Sequence, residues 1–107
     1  MQTQTRCSEL SEYFEEYPKA KVSDACQRLS IHPRFLERRL LEFGLSAVKI
    51  KRACMLARAT HEILWSNRNF NDIALSAGYS HGAHLSHAVH AATGGMSPSL
   101  IRGIMRV

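Results

Sequence analysis

DACQRLSIHPRFLERRL, residues 24–40, and DIALSAGYSHGAHLSHAV, residues 72–89, are two renderings of one pattern. Cys26 aligns with Ala74, Leu29 with Ala77, Ser30 with Gly78, Ile31 with Tyr79 and His32 with Ser80 at one constant offset. One extra residue in the second copy then brings Leu85 onto Leu36 and Val89 onto Leu40. A repeat this short is two copies of one supersecondary unit and not a solenoid. In each copy a small residue, Cys26 or Ala74, lets another helix approach, and a tight turn follows, with Gly78 supplying free φ in the second. Apolar residues one turn apart then pin the next helix by one face and leave its other face outside. That is the grammar of a helix-turn-helix, although an αα-hairpin in a small bundle needs no more for packing alone.

Outward from the repeat, the chain reads as all-α. Proline occurs only at 18, 33 and 98, and apolar residues recur at helical spacing. A first helix is expected at about Ser8 to Tyr17, burying Leu10, Tyr13, Phe14 and Tyr17 and ending before Pro18. A short helix at about Ser23 to Leu29 precedes one that starts with Pro33 in the first-turn position and stops near Gly44. Its inner side is expected to be Leu36, Leu40 and Phe43. Ser46 can cap a long helix to about Ser66, with Ile50, Ala53, Ala57, Thr60 and Leu64 as its inner stripe, and Asn67 to Asn69 breaks it.

At 107 residues the chain is long enough for one domain with its own core, and a composition 45% hydrophobic and 21% charged is that of a globular chain. No stretch approaches the ~18 apolar residues of a membrane span, and MQTQTRCSEL lacks a signal peptide's apolar run, so a cytoplasmic address is expected. Cys7, Cys26 and Cys54 are odd in number and far apart, which fits neither a disulfide framework nor a zinc ribbon. Neither G-x-S-x-G nor a P-loop is present and the carboxylates are scattered, so no enzyme is expected. The net charge of +5 is uneven: residues 21–66 hold nine basic and four acidic groups, which suggests an acidic partner such as nucleic acid.

The helix from Pro33 concentrates that charge. Arg34, Glu37, Arg38 and Arg39 crowd its outward face, and the second helix of a helix-turn-helix offers such residues to the major groove. Arginine can fork onto guanine edges or a phosphate, and glutamate can accept from cytosine N4. The stretch HGAHLSHAVH, 81–90, instead places four histidines at every third position. On a helix each lies about 60° behind the last, so His81 and His90 end on opposite sides and the four cannot close around one ion. A zinc site needs three or four ligands, and no Asp, Glu or Cys stands in the stretch to complete one; no metal or cofactor is expected.

HPRFLERRLLEFGLS, DIALSAGYS and SHAVHAATGGMSPSLIR together closely resemble the DNA-binding domain of the AraC/XylS family of bacterial transcription regulators, over about residues 8–105. The resemblance implies about seven helices: a first helix-turn-helix unit at 8–44, a linker helix at 46–66 and a second unit at 69–105. It further implies that the recognition helices, Pro33 to Phe43 and His81 to Thr93, enter successive major grooves of double-stranded DNA from one chain, without a dimer. Carried over by position, the base-reading residues are Arg34, Glu37 and Arg38 in the first unit and Gly82, Ala83, His84 and His87 in the second, with Ser80 capping the second recognition helix. RNA polymerase is the implied protein partner.

The departures are informative. The family usually has phenylalanines at Leu85 and Val89, an arginine at His87, basic residues at His90 and Ala91, one glycine where Gly94 and Gly95 stand, and an arginine at Cys54. Sequence reading should therefore fall mainly on the first unit. Phosphate favours a charged imidazole, so the second unit's grip is expected to strengthen as pH falls from about 7.5 to 6 through His84, His87 or His90. Two other readings carry distinct expectations: a degenerate helix-turn-helix that binds a regulator or polymerase and no longer reads DNA, and a metal-sensing histidine helix.

Overall fold

The computed structural model describes residues 2–106, with side chains from residue 9 onward except at 105; the reading that Cys7 belongs to neither a disulfide framework nor a zinc ribbon lies outside these described side chains. Seven α-helices and no strand occur among the described residues: α1 Gln2–Glu16, α2 Val22–Arg28, α3 Pro33–Leu41, α4 Ala47–Trp65, α5 Phe70–Ala77, α6 Gly82–Thr93 and α7 Pro98–Met105. The all-α reading is therefore correct. None of the described helices is long and apolar enough to cross a membrane. Two compact units divide the chain at Cys54 and Met55, within α4.

In the first unit, the Asp24 carboxylate accepts the Lys21 N–H at 3.0 Å and so satisfies one free donor at the start of α2. The helix ends where Ser30 takes the left-handed region at φ 56°, and the Ile31 N–H then donates back to the Cys26 carbonyl at 2.9 Å. Pro33 opens α3 with its φ already helical and no N–H to lose. Leu36 and Leu40 turn inward onto Leu10, Phe14, Ala25, Cys26, Ile31 and Ala47. Deleting a leucine of this kind typically costs about 2–5 kcal/mol, because the transfer term and a residual cavity add. Ser46 Oγ accepts the Lys49 N–H at 3.1 Å, so Ser46 caps α4 as expected.

The second unit repeats the turn. Gly78 is left-handed at φ 107°, and the Tyr79 N–H donates to the Ala74 carbonyl at 2.9 Å, the same bond at the same place in the repeat. Leu85 and Val89 of α6 pack with Met55, Ala59, Ile63, Ile73, Ala74, Ala77 and Tyr79. Asn69 caps α5 through its Oδ1 at 2.7 Å from the Asn71 N–H, and Ser97 caps α7 at 3.1 Å from the Leu100 N–H. From α7, Arg102 lies 4.3 Å over the Phe70 ring and donates to the carbonyls of Ile63 and Arg68, both at 2.9 Å. It thereby supplies donors to a helix end that has carbonyls to spare.

Three details differ from the expected packing. Tyr17 lies past the end of α1 and Phe43 past the end of α3, and both are exposed, Phe43 at 62%. Helical phase no longer governs a side chain once the helix has stopped. The inner stripe of α4 was expected at Ile50, Ala53, Ala57, Thr60 and Leu64, yet Ala53 and Ala57 are exposed. Ala47, Ile50 and Cys54 serve the first core and Met55, Ala59 and Ile63 the second. A helix handed from one core to another has no single stripe to extrapolate.

The matched turns predict opposite outcomes at one structural position. Left-handed backbone costs an L-residue about 1–2 kcal/mol, offset in part by the extra entropy glycine loses on folding. Ser30→Gly should therefore stabilise the protein and Gly78→Ser destabilise it, each by about 1 kcal/mol, as read by urea denaturation followed by circular dichroism. Two changes of the same sign would contradict the equivalence of the turns.

Candidate nucleic-acid interface

With Leu36 and Leu40 turned inward, helical geometry fixes what α3 presents outward. Ideal rotation of about 100° per residue puts Arg38 diametrically opposite the two leucines and Arg34 and Leu41 about 40–60° to one side. Arg34, Glu37 and Arg38 are all exposed and, with Leu41, line one shallow surface depression. Among the described residues Arg34 and Arg38 have no ion-pair partner, so two exposed guanidinium groups stand one turn apart. Arg39 differs from its neighbours: it is half-buried at the edge of this face, and its Nη1 lies 3.7 Å from Glu42 Oε2. Glu37 has an inward influence as well. Burial first, and the Glu37 charge second, push the Cys26 thiol up, which keeps it protonated within the core.

The equivalent face of α6 is built from short and neutral groups. His87 stands opposite Leu85 and Val89, flanked by Ala83, His84 and His90, all exposed. The helix contains no lysine or arginine. Gly82 is half-buried; its N–H donates to Asn71 Oδ1 at 3.0 Å, and an added Cβ would stand 3.4 Å from that oxygen. The glycine thus serves the approach of α6 to α5, and its amide is already used. Ala83 offers only a methyl group.

The start of α6 corrects one expectation. Ser80 does not cap it: His81 does, its Nδ1 accepting the His84 N–H at 3.2 Å. The Ser80 N–H instead donates to His84 Nδ1 at 3.4 Å, and the His84 ring meets Tyr79 edge-on with centroids 5.0 Å apart. The cause is the extra residue of the second copy, which already precedes the cap, so His81 and not Ser80 is the counterpart of His32. His32 caps α3 in the same manner, its Nδ1 accepting the Arg34 N–H at 3.2 Å. Histidine is not among the common cap residues, so neither cap carries a strong sequence signature. In both imidazoles Nδ1 is placed as the acceptor, which leaves Nε2 as the ring's donor position. Among the described residues no cluster of three or more His, Cys, Asp or Glu could hold a metal ion.

A residue missed in the sequence is Leu41. It stands one turn beyond Glu37 and two beyond Arg34, and the same spacing that grouped the arginines would have included it.

Comparison with known proteins agrees with this architecture. A family model described as a helix-turn-helix domain matches residues 25–103. A solved DNA-binding transcriptional dual regulator from Escherichia coli K-12 superposes with a TM-score of 0.86 at 16% identity, covering 94% of this chain and 92% of that one. The C-terminal domain of AraT, a response regulator from Geobacillus stearothermophilus, gives 0.77 at 20% identity, covering 95% and 84%. Among curated proteins none matches. At such identities the structural likeness concerns the fold, whereas the family match spans most of the sequence and both copies of its repeat: the chain belongs to the AraC-type helix-turn-helix family.

Proposed function

We propose that the protein is a sequence-specific regulator of transcription that binds double-stranded DNA, with α3 and α6 each docked in a major groove. The observation that carries this reading is the outward face of α3, where Arg34 and Arg38 lie exposed and unpaired beside Glu37. Forked donors of this kind match guanine O6 and N7, and the carboxylate can accept from cytosine N4. Arg39, tied to Glu42, is assigned to the backbone rim. The second unit steadies the complex: Ala83 and Gly82 offer base edges no side-chain hydrogen bond, while His84 and His87 face outward and Ser80 lies in the turn beside the groove. Domain limits of 8–105 follow from the same reading, with α4 as the linker. Control would come from occupying a promoter and touching or excluding RNA polymerase, with no catalytic step and no cofactor. The alternative of a module that binds only a protein partner is favoured by α6 alone, whose outward face lacks long cationic side chains.

Arg38→Ala should weaken binding to a selected duplex by about 1–3 kcal/mol and relax preference at one base position, read by competition against single-base variants. A loss uniform over all sequences would assign Arg38 to phosphate, and no loss would remove α3 from the interface.

The histidines divide by geometry. His84 Nδ1 holds the Ser80 N–H within the turn, whereas His87 and His90 are exposed on the outward face. Either can donate a ring N–H to phosphate. Duplex affinity should therefore fall several-fold in the His87→Ala, His90→Ala double variant, as read by titration of a labelled duplex. An unchanged affinity would take both histidines out of the interface.

A further inference from the structure

Leu41 is the last residue of α3 and one of its least buried, 72% exposed, on a helix whose inner face is already filled by Leu36 and Leu40. It contributes nothing to the core. Phe43 and Leu45 are also exposed but lie beyond the helix, and Phe35, exposed on α3, lies about 120° around it; Leu41 alone of these is held by the helix at a fixed azimuth on the Arg34 side. That azimuth is within about 20° of Arg34's, two turns farther along, and the side chain lines the same depression as Arg34, Glu37 and Arg38. A leucine at the end of a row of base-reading groups has an apolar feature of the major groove to meet, and that groove displays only one per A·T pair: the C5-methyl group of thymine.

We propose that Leu41 is a specificity-determining residue that packs on a thymine methyl group, an inference that rests on the DNA-reading role of α3. Seven residues span about 10.5 Å of helix, which corresponds to about three base pairs of rise. The thymine therefore lies at most about three base pairs from the base contacted by Arg34. Guanidinium and carboxylate groups select G·C pairs at one end of the row, and Leu41 selects an A·T pair at the other. Removal of one methyl group from an apolar contact corresponds to about a three- to five-fold change in Kd.

Thymine-to-deoxyuridine replacement deletes that methyl group and leaves the Watson–Crick pair intact. In a duplex selected by the protein from a random pool, one such replacement in the segment read by α3 should weaken binding by about three- to five-fold. The Leu41→Ala protein should bind the thymine duplex more weakly by a similar factor and be indifferent to the replacement, with unchanged helical circular dichroism. Selective binding that is unaffected by every deoxyuridine replacement, or a Leu41→Ala protein that keeps the wild-type sensitivity, would overturn the proposal alone. Failure to enrich any duplex would overturn the DNA-reading role of α3, and this proposal with it.

Discussion

One backbone hydrogen bond, made twice, governs the arrangement of each unit. The Ile31 N–H reaches the Cys26 carbonyl and the Tyr79 N–H reaches the Ala74 carbonyl, both at 2.9 Å, across a residue forced into left-handed backbone. The bond fixes where the chain leaves one helix and so where the next begins. It also places a large side chain, Ile31 or Tyr79, into the core directly after the turn. Because the following helix then buries residues one turn apart, its opposite face is determined without further instruction. In α3 that face falls on Arg38, and in α6 on His87.

The same scaffold thereby carries two different surfaces. In α3 the outward positions hold two arginines with no ion pair among the described residues, a glutamate, a phenylalanine and an exposed leucine; in α6 they hold histidines and alanine. Core constraints do not explain the contrast, since Leu36 and Leu40 are matched by Leu85 and Val89 with equal burial. The proposed division of labour, in which α3 reads bases and α6 holds the duplex, would account for it. The use of His32 and His81 as helix caps further shows that histidine does two kinds of work in this chain, accepting backbone N–H groups at the turns and facing outward farther along α6.

Much of this was legible in the sequence. The pairing of Cys26 with Ala74 and of Ser30 with Gly78 predicted equivalent turns, and the period of Leu36 and Leu40 predicted the outward arginines. What escaped has physical reasons. The stripe of α4 was obscured because two cores draw on one helix. Phe43 and Tyr17 were assigned inward by a periodicity that ended before them. The cap of α6 was placed one residue early because an insertion within a turn leaves no periodic trace, and a histidine cap has no strong sequence signature. Leu41 escaped because a leucine beside Leu40 reads as core until burial shows otherwise.

The central claim is that exposed guanidinium groups on α3 engage the phosphate-lined groove of a duplex. Its most direct test is the dependence of duplex affinity on salt, since counterions released from phosphates set the slope of log Kobs against log salt concentration. The account predicts a slope of about −3 or steeper for the duplex and, since Arg34 and Arg38 read bases, a lost preference for a selected over a scrambled duplex when both are replaced by alanine. A slope near zero, or a preference indifferent to the loss of both arginines, would contradict it.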